Sequence, residues 1–421
     1  MGQQARYGRF FSMPDFWDPG YGTELTCLKP RQLVDQVEEH LLRSVKQQLV
    51  ADAPVGALCS GCVDSALVTA MAAQYHTNLA IFHANVVGPN SEHDAAVEVA
   101  KHLRLDLKVA EMQDEEFIGL LPEATRHYGH PLYIVPHSIP FLLVSRVVRS
   151  NSVKAVLTGE GSDECFLGYN MLVPNIKRWR PSIYNMLKAV AKTLLDREEE
   201  EMETPTEWDT MLGSVVPLSP ERLIMGLQNR FEVATETRDI RERVGWSKKR
   251  QSSMNNWKCL DLLNYNLRAL LQRNDSMGMA ASIESRFPFL DSKLVRLAVN
   301  APYKFKIRFS MAACDHNHYF YRDKWILRKV AERYLPKRIA YRSKGYFRVD
   351  TFKYLKISPR FFERSLIGDL YDLSSRETSY LAENAGYDLK VRMMYVDTWA
   401  QVCLHNLPNE QAINRFRDHI A

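Results

Sequence analysis

Val55-Gly56-Ala57-Leu58-Cys59-Ser60-Gly61-Cys62-Val63-Asp64-Ser65 is the stretch on which the reading of this chain turns. The apolar run at 55–58 has the length and composition of a buried strand, and residues 65–75 carry the period of an amphipathic helix. A short loop joins them, and its backbone N–H groups and small side chains face the positive end of the helix. Such a place binds a phosphate or pyrophosphate group.

Upstream, Leu33, Val34, Val37, Leu41, Leu42, Val45 and Leu49 fall at helix spacing across 30–50, and Asp52-Ala53-Pro54 ends that helix and opens the strand. Residues 1–29 are rich in Gly, Pro and aromatics and lack helical period, which predicts an extended lead-in or hinge. Downstream, strand and helix alternate: strands at 79–83, 105–109 and 153–157, and helices at 91–103, from Glu115, and at 139–148. This order predicts an α/β fold over 30–170, a parallel twisted sheet with helices on both faces. Its ligand crevice lies at the carboxyl ends of the strands. Residues 171–258, with the charge run Arg197-Glu198-Glu199-Glu200-Glu201, are expected to form a variable helical insertion. Residues 259–421 are expected to form a mostly helical C-terminal part that completes the site.

Composition narrows the function classes. In 421 residues, 55 basic and 50 acidic side chains leave a net charge of +5 with no long basic run, which argues against a nucleic-acid partner. Mean hydropathy is −0.31, and no apolar stretch is long enough to span a bilayer, so no membrane partner is expected. The seven cysteines show no zinc-type Cys–His spacing. Cys59 and Cys62 have the spacing of a redox pair but lie inside the phosphate-type loop, so reduced thiols in a cytoplasmic setting are expected.

A second loop, Leu157-Thr158-Gly159-Glu160-Gly161-Ser162-Asp163-Glu164, repeats the layout of the first: strand, glycine-rich turn, helix. Asp64 and Asp163 are hard oxygen ligands suited to Mg²⁺ shared with phosphate oxygens. Read alone, such a loop is equally a tight turn with a capping Asp. Two of them after parallel strands favour the ligand reading.

The first loop resembles the pyrophosphate loop of the ATP-pyrophosphatase superfamily. It is followed in order by Gly159-Glu160-Gly161-Ser162-Asp163-Glu164, by Glu284-Ser285-Arg286-Phe287-Pro288-Phe289-Leu290-Asp291, and by Lys324-Trp325-Ile326-Leu327-Arg328 with Arg342-Ser343-Lys344-Gly345. The set resembles the signatures of the asparagine synthetase domain and covers roughly residues 30–350. The resemblance implies an adenine nucleotide α-hydrolase-like fold, ATP and Mg²⁺ as cofactors, and adenylation of a carboxylate, aspartate first among candidates, followed by attack of a nitrogen nucleophile. By that resemblance Ser60, Gly61, Val63, Asp64, Ser65, Gly159 and Lys324 hold ATP or pyrophosphate, and Asp64 with Asp163 binds Mg²⁺. Glu160 handles the proton of the attacking nitrogen, and Lys344 steadies the charged intermediate. Without that context Lys324 and Lys344 would read as solvated surface lysines, and Glu284 with Arg286 as a structural ion pair beside a turn.

Three departures stand out. Cys62 replaces the second glycine of the first loop, which would strain the chain if the backbone there were left-handed. Ser276 stands where the family has a basic residue, and Lys344-Gly345-Tyr346-Phe347 alters the turn after the lysine. The chain also opens Met1-Gly2, where complete asparagine synthetases start with a cysteine-nucleophile glutaminase domain. The nitrogen is therefore expected from ammonia, from an amine substrate or through a separate glutaminase partner, unless the sequence is a piece of a longer chain; a homodimer is compatible with the reading. Two other functions stay open: a ring-closing lactam or peptide cyclase, against which Glu160 argues because β-lactam-forming relatives carry tyrosine there, and a non-catalytic nucleotide-binding homologue.

Overall fold

The computed structural model describes residues 11–88, 91–132, 135–169, 251–309, 321–342 and 356–420. Strands β1 (Val55–Leu58), β2 (Ala80–Val86), β3 (Leu107–Met112), β4 (Ala155–Leu157) and β5 (Glu284–Arg286) form one sheet in the order β3-β2-β1-β4-β5. Every neighbouring pair is parallel. The chain leaves β1 towards β2 and β3, then returns to place β4 on the other flank of β1. That reversal opens a crevice beyond the carboxyl ends of β1 and β4. Ala57 pairs with Leu157, so the loops that follow the two strands leave the sheet at the same level.

Helices cover the sheet as the alternating order requires. Helix α1 (Pro19–Cys27) precedes the long α2 (Pro30–Gln48), which buries Leu33, Val34, Val37, Leu41 and Val45. Helix α3 (Val63–Ala73) is apolar or small on every side and almost wholly buried, as a helix enclosed by protein must be. It begins two residues earlier than its periodicity predicts, so Asp64 and Ser65 stand in its first turn. Helices α4 (His93–Leu103), α5 (Asp114–Tyr128) and α6 (Ser138–Ser150) complete the crossovers as expected, and the short α7 (Ser162–Phe166) follows β4. A second apolar cluster joins α5 and α6 to the C-terminal helices through Phe117, Leu121, Leu142, Phe361, Met394 and Phe416.

Two expectations change. The lead-in is helical over Pro19–Cys27: Asp18 caps the helix by accepting from Tyr21 N at 3.0 Å, and Pro19 takes the first-turn position where a missing N–H costs nothing. Residues 284–286 are a fifth strand, too short and too polar to show a pattern. The anticipated ion pair is present, with Arg286 Nε 2.9 Å from Glu284 Oε1, but it lies along that edge strand. Arg286 also donates to the carbonyls of Gln48 and Val50 at the end of α2. The insertion expected at 171–258 lies outside the described residues except for its last part, where helix α8 (Gln251–Asn264) leads to α9 (Asn266–Ala280).

Candidate active site

The first loop leaves β1 with Cys59 N still bonded to Phe82 O at 2.8 Å, which extends the ladder by one step. Gly61 then turns with φ +85°, and a Cβ there would lie 2.5 Å from Ala95. Only glycine fits, by conformation and by space. Cys62, by contrast, is extended, with φ −69° and ψ 159°, so the feared strain at this departure does not exist. Its Sγ lies 3.0 Å from Ser60 Oγ and 3.4 Å from Ser65 Oγ, filling the loop with a neutral thiol that burial and then Asp64 push up. Cys59 is buried and pushed up to about 12, and both cysteines are free, so the redox-pair reading has no support here. The amides of Cys62, Val63, Asp64 and Ser65 have no intrahelical partner at this helix start and sit where an anion is attracted.

The second loop lies directly against the first. A Cβ on Gly159 would fall 2.8 Å from Ser65 N and 3.1 Å from Asp64 Cβ, so the absence of a side chain lets the two backbones touch. Gly161, at φ +90°, presses against Leu290 of the short 3₁₀ turn Pro288–Leu290. The Pro-Phe-Leu-Asp signature therefore supports the second loop from behind. Asp291 in turn caps the helix Ser292–Asn300 and pairs with Arg43 of α2.

At the mouth of both loops lies a buried charged trio. Lys324 Nζ is 2.5 Å from Asp64 Oδ2 and 2.6 Å from Asp163 Oδ1, while Ser162 Oγ donates to Asp64 Oδ1 at 2.6 Å. Lys324 is 1% exposed, which overturns the surface-lysine alternative. Burial alone would lower its ammonium, but the Asp163 and Asp64 carboxylates outweigh that and raise it. Asp64 and Asp163 are hard carboxylates already gathered around a positive charge. Among the described residues no cluster of three or more His, Cys, Asp or Glu could hold a metal alone. That donor set suits Mg²⁺, which is held by one or two carboxylates with the rest of its shell from phosphate oxygens and water.

The three acids of the second loop part company. Asp163 faces Lys324. Glu160 forms an ion pair with Arg273 of α9, whose guanidinium also lies 5.1 Å from the centre of the Phe141 ring. Glu164 turns inward, accepting from Tyr169 Oη at 2.6 Å and Asn266 Nδ2 at 2.8 Å; burial, followed by the Asp163 charge, pushes it up to about 7. Arg273, which the sequence alone does not mark as a site residue, lies three residues before Ser276, where the family carries a basic residue.

Lys344 lies outside the described residues, but the ground before it is described. Arg328 is buried and donates to Asp323 O and Oδ1 on one side and to the carbonyls of Ala340 and Arg342 on the other. It thus ties the segment carrying Lys324 to the one leading to Lys344. Arg342 reaches back to Gly61 O at 3.1 Å and Ala95 O at 3.3 Å, and pairs with Glu98.

Fold and site together define an α/β protein whose phosphate-type loop and acidic second loop meet at the sheet's topological switch point. The family model for asparagine synthase matches residues 36–389, and the chain belongs to that family. It is 27% identical to the glutamine-hydrolysing asparagine synthetase 1 of Bacillus subtilis (strain 168), over 80% of this chain and 52% of that protein. It is 24% identical to amidase chyE of Penicillium rubens, over 77% and 54%. A glutamine-hydrolysing asparagine synthetase of Zea mays is 29% identical over 43% of this chain and 32% of its own length. The chain spans about half the length of the first two relatives. Among the described residues no helix is long and apolar enough to cross a membrane.

Proposed function

We propose that this chain is an ATP-dependent amide-forming ligase that adenylates a carboxylate, aspartate first among candidates, and passes the acyl group to a nitrogen nucleophile. The observation that carries the reading is the meeting of Asp64 and Asp163, from two separate loops, around one cation-sized point. In the first step a carboxylate oxygen attacks the α-phosphorus of ATP, the bond to the β,γ-pyrophosphate breaks, and an acyl-adenylate forms. The amides around Ser60, Gly61, Val63 and Ser65, with Gly159 pressed close, receive the pyrophosphate. Asp64 and Asp163 are the residues that would hold Mg²⁺, which would supply charge neutralisation on the phosphate oxygens.

Lys324 offers its ammonium to the leaving pyrophosphate, where a cation stabilises the transition state more than the ground state. In the second step nitrogen attacks the acyl carbon and AMP departs. Glu160, fixed by Arg273, accepts the proton that the nitrogen must lose. Lys344 is assigned to the charged intermediate by its place in the signature. Ammonia, an amine or a glutaminase partner delivers the nitrogen.

Exchange of labelled pyrophosphate into ATP, run with a panel of carboxylates, tests this function. Exchange that requires aspartate supports the first reading, and Asp64→Ala abolishes it. Exchange supported only by another acid favours a second reading, an amide synthetase of a biosynthetic pathway, which the likeness to an amidase-named relative motivates. ATP binding without exchange on any acid contradicts both.

A further inference from the structure

Lys324 occupies the point between Asp64 and Asp163 that the proposed reaction gives to a divalent cation. It is held there deliberately. Its backbone is left-handed at φ +48°, a conformation L residues seldom adopt, and its stem runs so close to Gly168 that a Cβ there would lie 1.8 Å from Cε. Ser162 fixes the other oxygen of Asp64, so the carboxylate cannot turn away to offer a second place. Two cations competing for the same oxygens repel each other strongly in a buried setting. Nor can the ammonium leave on its own, because that would strand it, or the two carboxylates, without a counter-charge.

We propose that Lys324 is an internal placeholder for the metal. It keeps bare divalent cations off Asp64 and Asp163 and yields only when the metal arrives with a nucleotide, whose phosphate oxygens take over the ammonium. This rests on the ligase reading above and adds to it an order of assembly. Metal and nucleotide enter together, and each raises the affinity for the other.

Binding of Mn²⁺, followed by its electron paramagnetic resonance signal, tests the proposal without turnover. In the wild-type chain, α,β-methylene-ATP raises Mn²⁺ affinity by about tenfold or more. Lys324→Met binds Mn²⁺ alone by about the same factor more tightly than wild type, and the nucleotide adds a smaller factor than it does in wild type. Asp163→Asn weakens each of these complexes. Lys324→Gln repeats the measurement should the methionine variant fail to fold, and the wild-type comparison needs no variant. Equal affinity of wild type and Lys324→Met for Mn²⁺ without nucleotide, weakened by Asp163→Asn, overturns the placeholder and leaves the ligase reading standing. Absence of any Asp163-dependent Mn²⁺ binding, even with nucleotide, overturns both.

Discussion

Arg342 donates to the carbonyl of Gly61 at 3.1 Å, joining the segment that leads to Lys344 to the turn of the first loop. The two residues are 281 positions apart, yet one guanidinium is hydrogen-bonded to the turn of the loop proposed to hold pyrophosphate. A hydrogen bond from a charged donor contributes about 1.5–3 kcal/mol. Arg342→Ala is therefore expected to raise the KM for ATP by about tenfold or more and to lower unfolding stability by about 1.5–3 kcal/mol. Steady-state kinetics alongside urea unfolding checks this, and a fall in kcat with KM unaltered would show that Arg342 does not act through the loop.

Gly61 and Cys62 give a matched pair of substitutions. Gly61→Ala meets a left-handed backbone and a contact at 2.5 Å with Ala95, so it is expected to lose about 2 kcal/mol or more of stability. Cys62→Gly relieves no backbone strain, because Cys62 is already extended, and is expected to change stability by about 1 kcal/mol at most. Chemical unfolding of both variants decides it; a gain in stability from Cys62→Gly would contradict the described conformation.

In the proposed reaction, substitutions at Glu160 and Arg273 are expected to separate the two chemical steps. Glu160→Gln keeps the shape of the side chain but removes its capacity to take a proton, so amide release is expected to fall by about a hundredfold or more. Pyrophosphate exchange, which needs no nitrogen, is expected to fall far less. Arg273→Met, which frees the Glu160 side chain, is expected to follow the same pattern more weakly. Loss of both steps in equal measure would place Glu160 in adenylation instead.

His83 predicts a pH dependence of stability. It is buried beside the first loop with Nδ1 3.1 Å from Cys59 O, and burial, followed by the charge of His93, lowers it to about 4. The unfolded chain therefore binds a proton that the folded chain refuses between its ordinary value near 6.5 and about 4. Stability from this group is complete above that window and is lost as the pH falls through it, by about 3 kcal/mol in total. His83→Gln is expected to flatten the acid limb of urea-midpoint curves; an unchanged limb would assign the acid loss to other groups.

The order of strands and the two glycine-acid loops were legible because each strand is a short apolar run and each loop breaks it with small residues. Val55–Leu58 and Ala155–Leu157 are read correctly to within two residues. Glu284–Arg286 was not legible as a strand, because a three-residue polar edge strand is held by its neighbour β4 and by Arg286 capping α2, not by its own pattern. The helix at Pro19–Cys27 was hidden by its glycines, although Asp18-Pro19 was a legible start signal. Asp64 and Asp163 stand out in the sequence because their loops announce them, and the fold brings both to Lys324. Arg273 was missed because its partner Glu160 is 113 positions away and only the fold brings them together. The burial of Lys324 likewise depends on two carboxylates and a glycine from distant segments.

In the proposed reaction this site activates a carboxyl group as its AMP ester. Supplying whichever acid supports pyrophosphate exchange with ¹⁸O in its carboxylate, together with ATP and ammonia, and weighing the AMP by mass spectrometry tests it directly. One ¹⁸O is expected to pass from the acid into the phosphate of AMP for each amide formed. Unlabelled AMP, or label appearing in inorganic phosphate beside ADP, would contradict it.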